Sequence, residues 1–239
     1  MAARPFAVFD IDGTVIRWQL YHGMADELAR SGNLDPKEFQ KVRAARMLWK
    51  KRTRETSFEE YEQALVALVD KAITGISVEA LATACHTVMD EYKDQVYTYT
   101  RDLIRDLQAQ NYLLFAISAS QAAIVGLIAG YYGFDDFGGS EYEVKDGYFT
   151  GHKELLVSQA KPEFLKRLVA KHGAGWQDSY AVGDSDGDIP MLESVEQPIA
   201  FNPTKKLFQH ARAQGWKIVL ERKNMVYELE PRDGSYFLA

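Results

Sequence analysis

The chain has 239 residues, enough for one sizeable hydrophobic core with or without a smaller appended unit. Its 46% hydrophobic and 26% charged residues exclude disorder throughout, and a formal charge of −6 argues against broad attraction to nucleic acid or an anionic membrane. The lone cysteine, Cys85, excludes an intrachain disulfide and suits a reducing compartment. No signal-like apolar stretch precedes Asp10 and no apolar run reaches the roughly 18 residues of a membrane span, so the expected location is the cytoplasm.

In chain order, the apolar run Phe6–Phe9 reads as a buried strand that ends in the acidic turn Asp10-Ile11-Asp12-Gly13-Thr14. From Trp18 to Tyr97 no strand pattern occurs; Tyr61, Leu65, Leu68 and Val69 recur at helical spacing, as do Leu81, Cys85, Met89 and Tyr92. That stretch is either an all-helical insertion or a long helical crossover. A second strand, Tyr112–Ile117, leads into Ser118-Ala119-Ser120, which is expected to open a helix over Gln121–Tyr131. Ser140–Gly151 holds two short alternating runs around Asp146-Gly147, a hairpin signal. Lys161-Pro162 marks a helix entrance, with closure near Gly173. Strands are expected at Tyr180–Val182, Pro198–Phe201 and Lys217–Leu220, whereas the tail after Asn224 carries no assignable pattern. Strands alternating with helices imply an α/β fold with a doubly wound, mostly parallel sheet.

Four segments therefore sit at strand ends or helix starts: Asp10–Thr14, Ser118–Ser120, Lys161, and Gly183-Asp184-Ser185-Asp186-Gly187-Asp188. A doubly wound sheet gathers such positions at one edge. Taken singly, an Asp-Gly-Thr turn is a turn, Ser-Ala-Ser and Asp188 are helix caps, and Lys161 is a solvated charge. Taken together, they supply carboxylates for a hard cation, a nucleophile, a hydroxyl for phosphate oxygens and an ammonium to offset phosphoryl charge.

With these four motifs in order over nearly its whole length, the chain resembles the haloacid dehalogenase-like superfamily, in the subgroup containing phosphoserine phosphatase. The stretch Glu143–Gly151, Asn202-Pro203 and Gly215-Trp216 are similar to that subgroup as well. The resemblance implies a catalytic core of residues 1–17 and 98–239 and a helical cap of residues 18–97. It implies Asp10 as nucleophile and Mg²⁺ ligand, and Asp12 as general acid/base whose carbonyl also binds the metal. Ser118 and Lys161 would bind the phosphoryl group with Thr14 beside them, Asp184 would complete the protein ligands to Mg²⁺, and Asp188 would hold Lys161 or a metal-bound water. The expected activity is hydrolysis of a small phosphorylated metabolite, with no nucleic-acid or membrane partner. A phosphotransferase or phosphomutase using the same chemistry is the nearest alternative; a phospho-aspartate receiver domain has no need for Asp12 or for an inserted helical segment.

The cap departs from phosphoserine phosphatase. Nine residues after Asp10, where that enzyme has a glutamate for the serine ammonium, stands Gln19; aligning its cap phenylalanine with Phe58 puts Leu65 where it has an arginine for the serine carboxylate. Phosphoserine is therefore expected to be a poor substrate. The basic residues Arg43, Arg46, Lys50, Lys51, Arg52 and Arg54 form either a solvated helix face or a source of one or two cations over the site. None of the five histidines falls at a metal-ligand spacing.

Overall fold

Phe6-Ala7-Val8-Phe9 is apolar on both faces, and the computed structural model, which describes residues 3–52, 54, 56–155, 157, 160–232 and 235–238, accordingly places it in the middle of the sheet. β1 (Pro5–Phe9) lies between β2 (Leu113–Gln121) and β5 (Gly175–Gly183), parallel to both. β3 (Asp136–Lys145), β6 (Gln197–Phe201) and β7 (Lys217–Arg222) extend the parallel sheet. Antiparallel strands finish each end: β4 (Tyr148–Leu155) beside β3, and β8 (Met225–Arg232) and β9 (Ser235–Leu238) beyond β7. The order is β4-β3-β2-β1-β5-β6-β7-β8-β9. From β1 the chain runs outward through β2, β3 and β4 and then returns to β5 on the other side of β1, so the crevice at the carboxyl ends of β1 and β5 is the topological switch point.

Helices cover both faces, as alternation within β1 requires. Ala7 and Phe9 join a core with α5 (Thr98–Ala109) and α6 (Ala122–Tyr132). Phe6 and Val8 pack toward α7 (Lys161–His172), α8 (Ile189–Leu192) and α9 (Lys205–Gln214). Four further helices lie between β1 and α5: α1 (Leu20–Arg30), α2 (Pro36–Lys50), α3 (Ser57–Ile73) and α4 (Val78–Tyr92). The helical stripe Tyr61, Leu65, Leu68, Val69 is buried, as are Leu81, Cys85 and Met89, and these residues share the core of the Ala7/Phe9 face. Among the described residues no helix is long and apolar enough to cross a membrane.

Two clasps fix the inserted helices to the sheet. At their base the entering and leaving chains pair: Arg17 N donates to Gln95 O (2.8 Å) and Tyr97 N to Val15 O (3.1 Å). Glu221 from β7 seals this crossing, accepting from Thr98 N (3.0 Å) and Tyr99 N (2.9 Å) while it pairs with Arg17. At the far side the β3–β4 hairpin hydrogen-bonds the loop before α4, with Gly75 N on Phe149 O (3.2 Å) and Val78 N on Gly147 O (3.0 Å). Asp70 of α3 meets Tyr142 and Lys153 of the same hairpin.

The structure differs from the sequence expectations in two places. Ser118–Ser120 stays within β2, which extends to Gln121, and the expected helix follows it one residue later than read, as α6 over Ala122–Tyr132. The pairing with β3 is irregular between Ile117 and Gln121, and there Ser140 Oγ donates to Ala119 O (2.8 Å). The tail forms β8 and β9. Its first turn, Lys223-Asn224, holds Lys223 at φ +57° and lacks the Asn-Gly or Asp-Gly pair that marks a hairpin in sequence.

Glu221→Ala removes three charge-assisted contacts at the base of the insertion and leaves the first N–H groups of α5 without their acceptor. The expected loss is about 2–3 kcal/mol in urea unfolding; a loss below about 0.5 kcal/mol would show that this crossing is not held by Glu221.

Candidate active site

The two central strands deliver their last residues to one point. Asp10 follows β1 and is anchored by its N–H to Val182 O of β5 (2.9 Å). Asp184 follows β5, and Asp188 closes a short 3₁₀ turn, Asp186–Asp188. Carboxylate oxygens of Asp10, Asp184 and Asp188 lie within 4.8 Å of one another. Two glycines make this approach possible. A Cβ on Gly13, which sits at φ +85°, would stand 2.3 Å from Asp184 Oδ2, and one on Gly183 would stand 2.6 Å from Asp188 Cβ.

Lys161 is the ammonium among these carboxylates. As the first residue of α7, with Pro162 behind it, the side chain is buried and donates to Asp10 Oδ1 (2.7 Å) and to Asp188 Oδ1 (2.6 Å). Asp188 spends its other oxygen on Ser185, accepting from its N–H (3.0 Å) and its hydroxyl (2.9 Å) in a capping box. Ser185 was given no role from sequence, although Ser-x-x-Asp before a helical run is the signature of such a box.

Asp12 points elsewhere. Its Oδ1 accepts from Leu20 N at the start of α1 (2.5 Å), and its Oδ2 accepts from the hydroxyls of Ser118 (2.6 Å) and Ser120 (2.7 Å). Ser120 completes this set without having been singled out. Thr14 is fully buried; its carbonyl accepts from Thr100 Oγ1 (2.9 Å), and its own hydroxyl has no partner among the described residues. Of the basic residues of the inserted helices, Arg46 is held by both oxygens of Asp26 (2.8 Å each) and by Tyr61 Oη, and Arg54 by Glu60. Leu65 is packed in the core, and Gln19 stands at the N-cap position of α1 without a side-chain capping hydrogen bond.

Charge is out of balance at this point. Burial, followed by the neighbouring charges of Asp188 and Asp12, outweighs Lys161 and pushes the Asp10 carboxyl up to about 7. Asp184 is likewise raised well above the carboxylate range by burial and then by Asp10 and Asp188. Asp12 is raised by burial against the hydrogen bonds it accepts. Lys161 resists its own burial because Asp10 and Asp188 hold it protonated. A hard cation bound by oxygen ligands relieves this imbalance, and the all-carboxylate donor set fits such an ion.

Asp10 and Asp184 titrate higher in the folded chain than in the unfolded one, so their contribution to stability falls as pH rises from about 4 toward about 7. His22, pushed down to about 3 by burial, acts in the opposite sense below its ordinary value of 6.5, so the comparison that isolates the carboxylates is between variants. In the presence of a chelator, Asp184→Asn should melt higher than wild type at pH 7.5, by a margin that shrinks toward pH 4. A variant less stable than wild type under those conditions would contradict the charge imbalance.

The haloacid dehalogenase-like hydrolase family model matches residues 7–193. A phosphoserine phosphatase of Mycobacterium tuberculosis is 30% identical over 149 residues, 61% of this chain and 48% of that protein. A histidinol-phosphatase of Neisseria meningitidis serogroup C is 24% identical over 226 residues, covering 89% of this chain and 97% of that one. The crystal structure of a protein with unknown function from Bordetella pertussis Tohama I superimposes with a TM-score of 0.73 at 27% identity, over 91% of this chain and 98% of that chain. The chain spans about half the length of the curated relatives it matches at 30% identity or more. The family match covers every segment that builds the acidic crevice, from β1 through the turn after β5, and the chain belongs to the haloacid dehalogenase-like hydrolases.

Proposed function

We propose that this chain is a Mg²⁺-dependent phosphomonoesterase acting through a phosphorylated Asp10, with residues 18–97 as a helical cap on a core of residues 1–17 and 98–239. The observation that carries the reading is the crevice itself: three carboxylates within 4.8 Å, two of them joined to Lys161, with Asp12 two residues from Asp10 on a separate hydrogen-bond set. Small phosphorylated metabolites as substrates are supported by the names of the two relatives, a phosphoserine phosphatase and a histidinol-phosphatase.

Asp10, Asp184 and the Asp12 carbonyl would hold Mg²⁺, which when bound supplies positive charge against the phosphoryl oxygens and the crowded carboxylates. A carboxylate oxygen of Asp10 attacks phosphorus; the bond to the leaving oxygen breaks, and Asp12 gives that oxygen a proton. Water then attacks phosphorus, Asp12 takes its proton back, and the bond to Asp10 breaks. Lys161 neutralises charge on the transferring group from its place beside Asp10. The hydroxyls of Ser118 and Ser120 aim Asp12 and lie where a phosphoryl oxygen would take them up. Asp188 and Ser185 fix Lys161 in position.

Turnover of an aryl phosphate should require Mg²⁺ and stop on chelation. Asp10→Asn should lower kcat by at least about 10³-fold, as expected for a covalent nucleophile. Asp12→Asn should lower it by about 10²–10⁴-fold and make the phosphorylated protein accumulate, because water loses its base while an activated leaving group needs little acid. Substantial activity in Asp10→Asn would remove the nucleophile assignment, and unchanged decay of the phosphorylated protein in Asp12→Asn would remove the base.

A further inference from the structure

Among the inserted helices α2 gives the least of itself to the core: Val42 alone is buried among its 15 residues, against six buried residues in α1 and six in α3. Its inner side is fixed by packing, for Trp49 stacks on Tyr61 (5.6 Å) and meets Phe58 (5.0 Å), and Arg46 reaches both oxygens of Asp26 on α1. On the outer side Lys37, Lys41, Ala44, Leu48 and Lys51 follow one another at helical spacing and are all exposed. They form a single stripe along the helix, with Arg43 and Met47 beside it.

This stripe belongs to a run of one sign. Between Pro36 and Arg54 stand eight Lys and Arg residues and one acid, Glu38, in a chain whose net charge is −6. Glu38 pairs with Lys41, Asp26 with Arg46 and Glu60 with Arg54, whereas Lys37, Arg43, Lys50, Lys51 and Arg52 are exposed and form no ion pair among the described residues. The helix dipole favours Lys50 and Lys51 at the C-terminal end of α2 but opposes Lys37 at its N-terminal end, so helix stability does not account for the set. Two adjacent apolar side chains stand among these cations, Met47 at 54% and Leu48 at 45% exposure. Such a pair ringed by cations is the composition of a helix that lies in a membrane interface. Beside it a groove of about 530 Å³ between α1 and α2 is lined by Arg30, Phe39, Gln40 and Arg43, with the unpaired guanidinium of Arg43 able to take a phosphate in bidentate fashion.

We propose that the outer face of α2 and the turn after it dock on an anionic phospholipid bilayer. The helix lies along the surface, Met47 and Leu48 enter the boundary between headgroups and acyl chains, and the free lysines and arginines rest on lipid phosphates. A nucleic acid fits this face less well, because Trp49, the ring beside the free cations, is already stacked on Tyr61, and a duplex has no use for Met47 and Leu48. The net charge of −6 describes the whole molecule, whereas a bilayer acts within a Debye length of about 10 Å and meets one face. The excess of acids elsewhere on the chain then orients the molecule, since this basic face is the one attracted.

The test is sedimentation of the protein with vesicles of phosphatidylcholine alone and with vesicles of phosphatidylcholine and phosphatidylglycerol in equal parts. The partition coefficient on the mixed vesicles should exceed that on phosphatidylcholine by about tenfold or more and fall away at about 0.5 M NaCl. Lys50→Glu/Lys51→Glu should lower it by at least about tenfold. Met47→Ser/Leu48→Ser, which keeps every charge, should lower it by at least about threefold. All four side chains are exposed, so both variants should melt at the wild-type temperature. Equal partition on the two kinds of vesicle, or undiminished binding in folded Lys50→Glu/Lys51→Glu, would overturn the docking face. Mixed vesicles bound as tightly by Met47→Ser/Leu48→Ser as by wild type, or duplex DNA bound more tightly than mixed vesicles at equal phosphate concentration, would make this a site for polyanions in general and refute the bilayer seat.

Discussion

One buried ammonium among too many carboxylates is the constraint on which the rest of this structure depends. Lys161 lies within 2.7 Å of Asp10 and 2.6 Å of Asp188, and Asp184 completes the cluster without a cation of its own. Burying like charges this closely is unfavourable, and a single ion pair does not offset it. The fold tolerates the arrangement because each acid is over-determined: β1 and β5 place Asp10 and Asp184, the capping box with Ser185 places Asp188, and glycines at 13 and 183 leave room where any side chain would collide. Charge crowding of this kind collects at functional sites.

The chain orders its remaining parts around that point. Asp12 is kept off the cluster by Leu20 N and by the hydroxyls of Ser118 and Ser120. The same contact joins the core to the inserted helices, since Leu20 opens α1. The crossing at Arg17 and Tyr97, sealed by Glu221, and the β3–β4 hairpin hold the insertion from two sides.

Much of the site was legible in the sequence, and the reason is local. Asp10, Asp12, Lys161, Asp184 and Asp188 stand at strand ends or helix starts that apolar runs and a proline make visible, and a doubly wound sheet brings such ends together. Ser120 was not assigned with Ser118 because a helix start does not put residues two apart on one side, whereas the extended β2 does, and both hydroxyls reach Asp12. The β8–β9 extension escaped because its turn uses Lys223 at positive φ, and because half-buried strands at a sheet end need little hydrophobic patterning.

The measurement that bears most directly on this account is identification of the phosphorylated side chain. Protein mixed with a labelled aryl phosphate and Mg²⁺, quenched in acid within one turnover and reduced with borohydride, should yield homoserine at position 10 in the fragment that contains β1, because an acyl phosphate on aspartate is the species that borohydride reduces. Label recovered on Ser118 or Ser120, or phosphate released with no side chain ever carrying it, would contradict the assignment of Asp10 as the group on which the crevice is built.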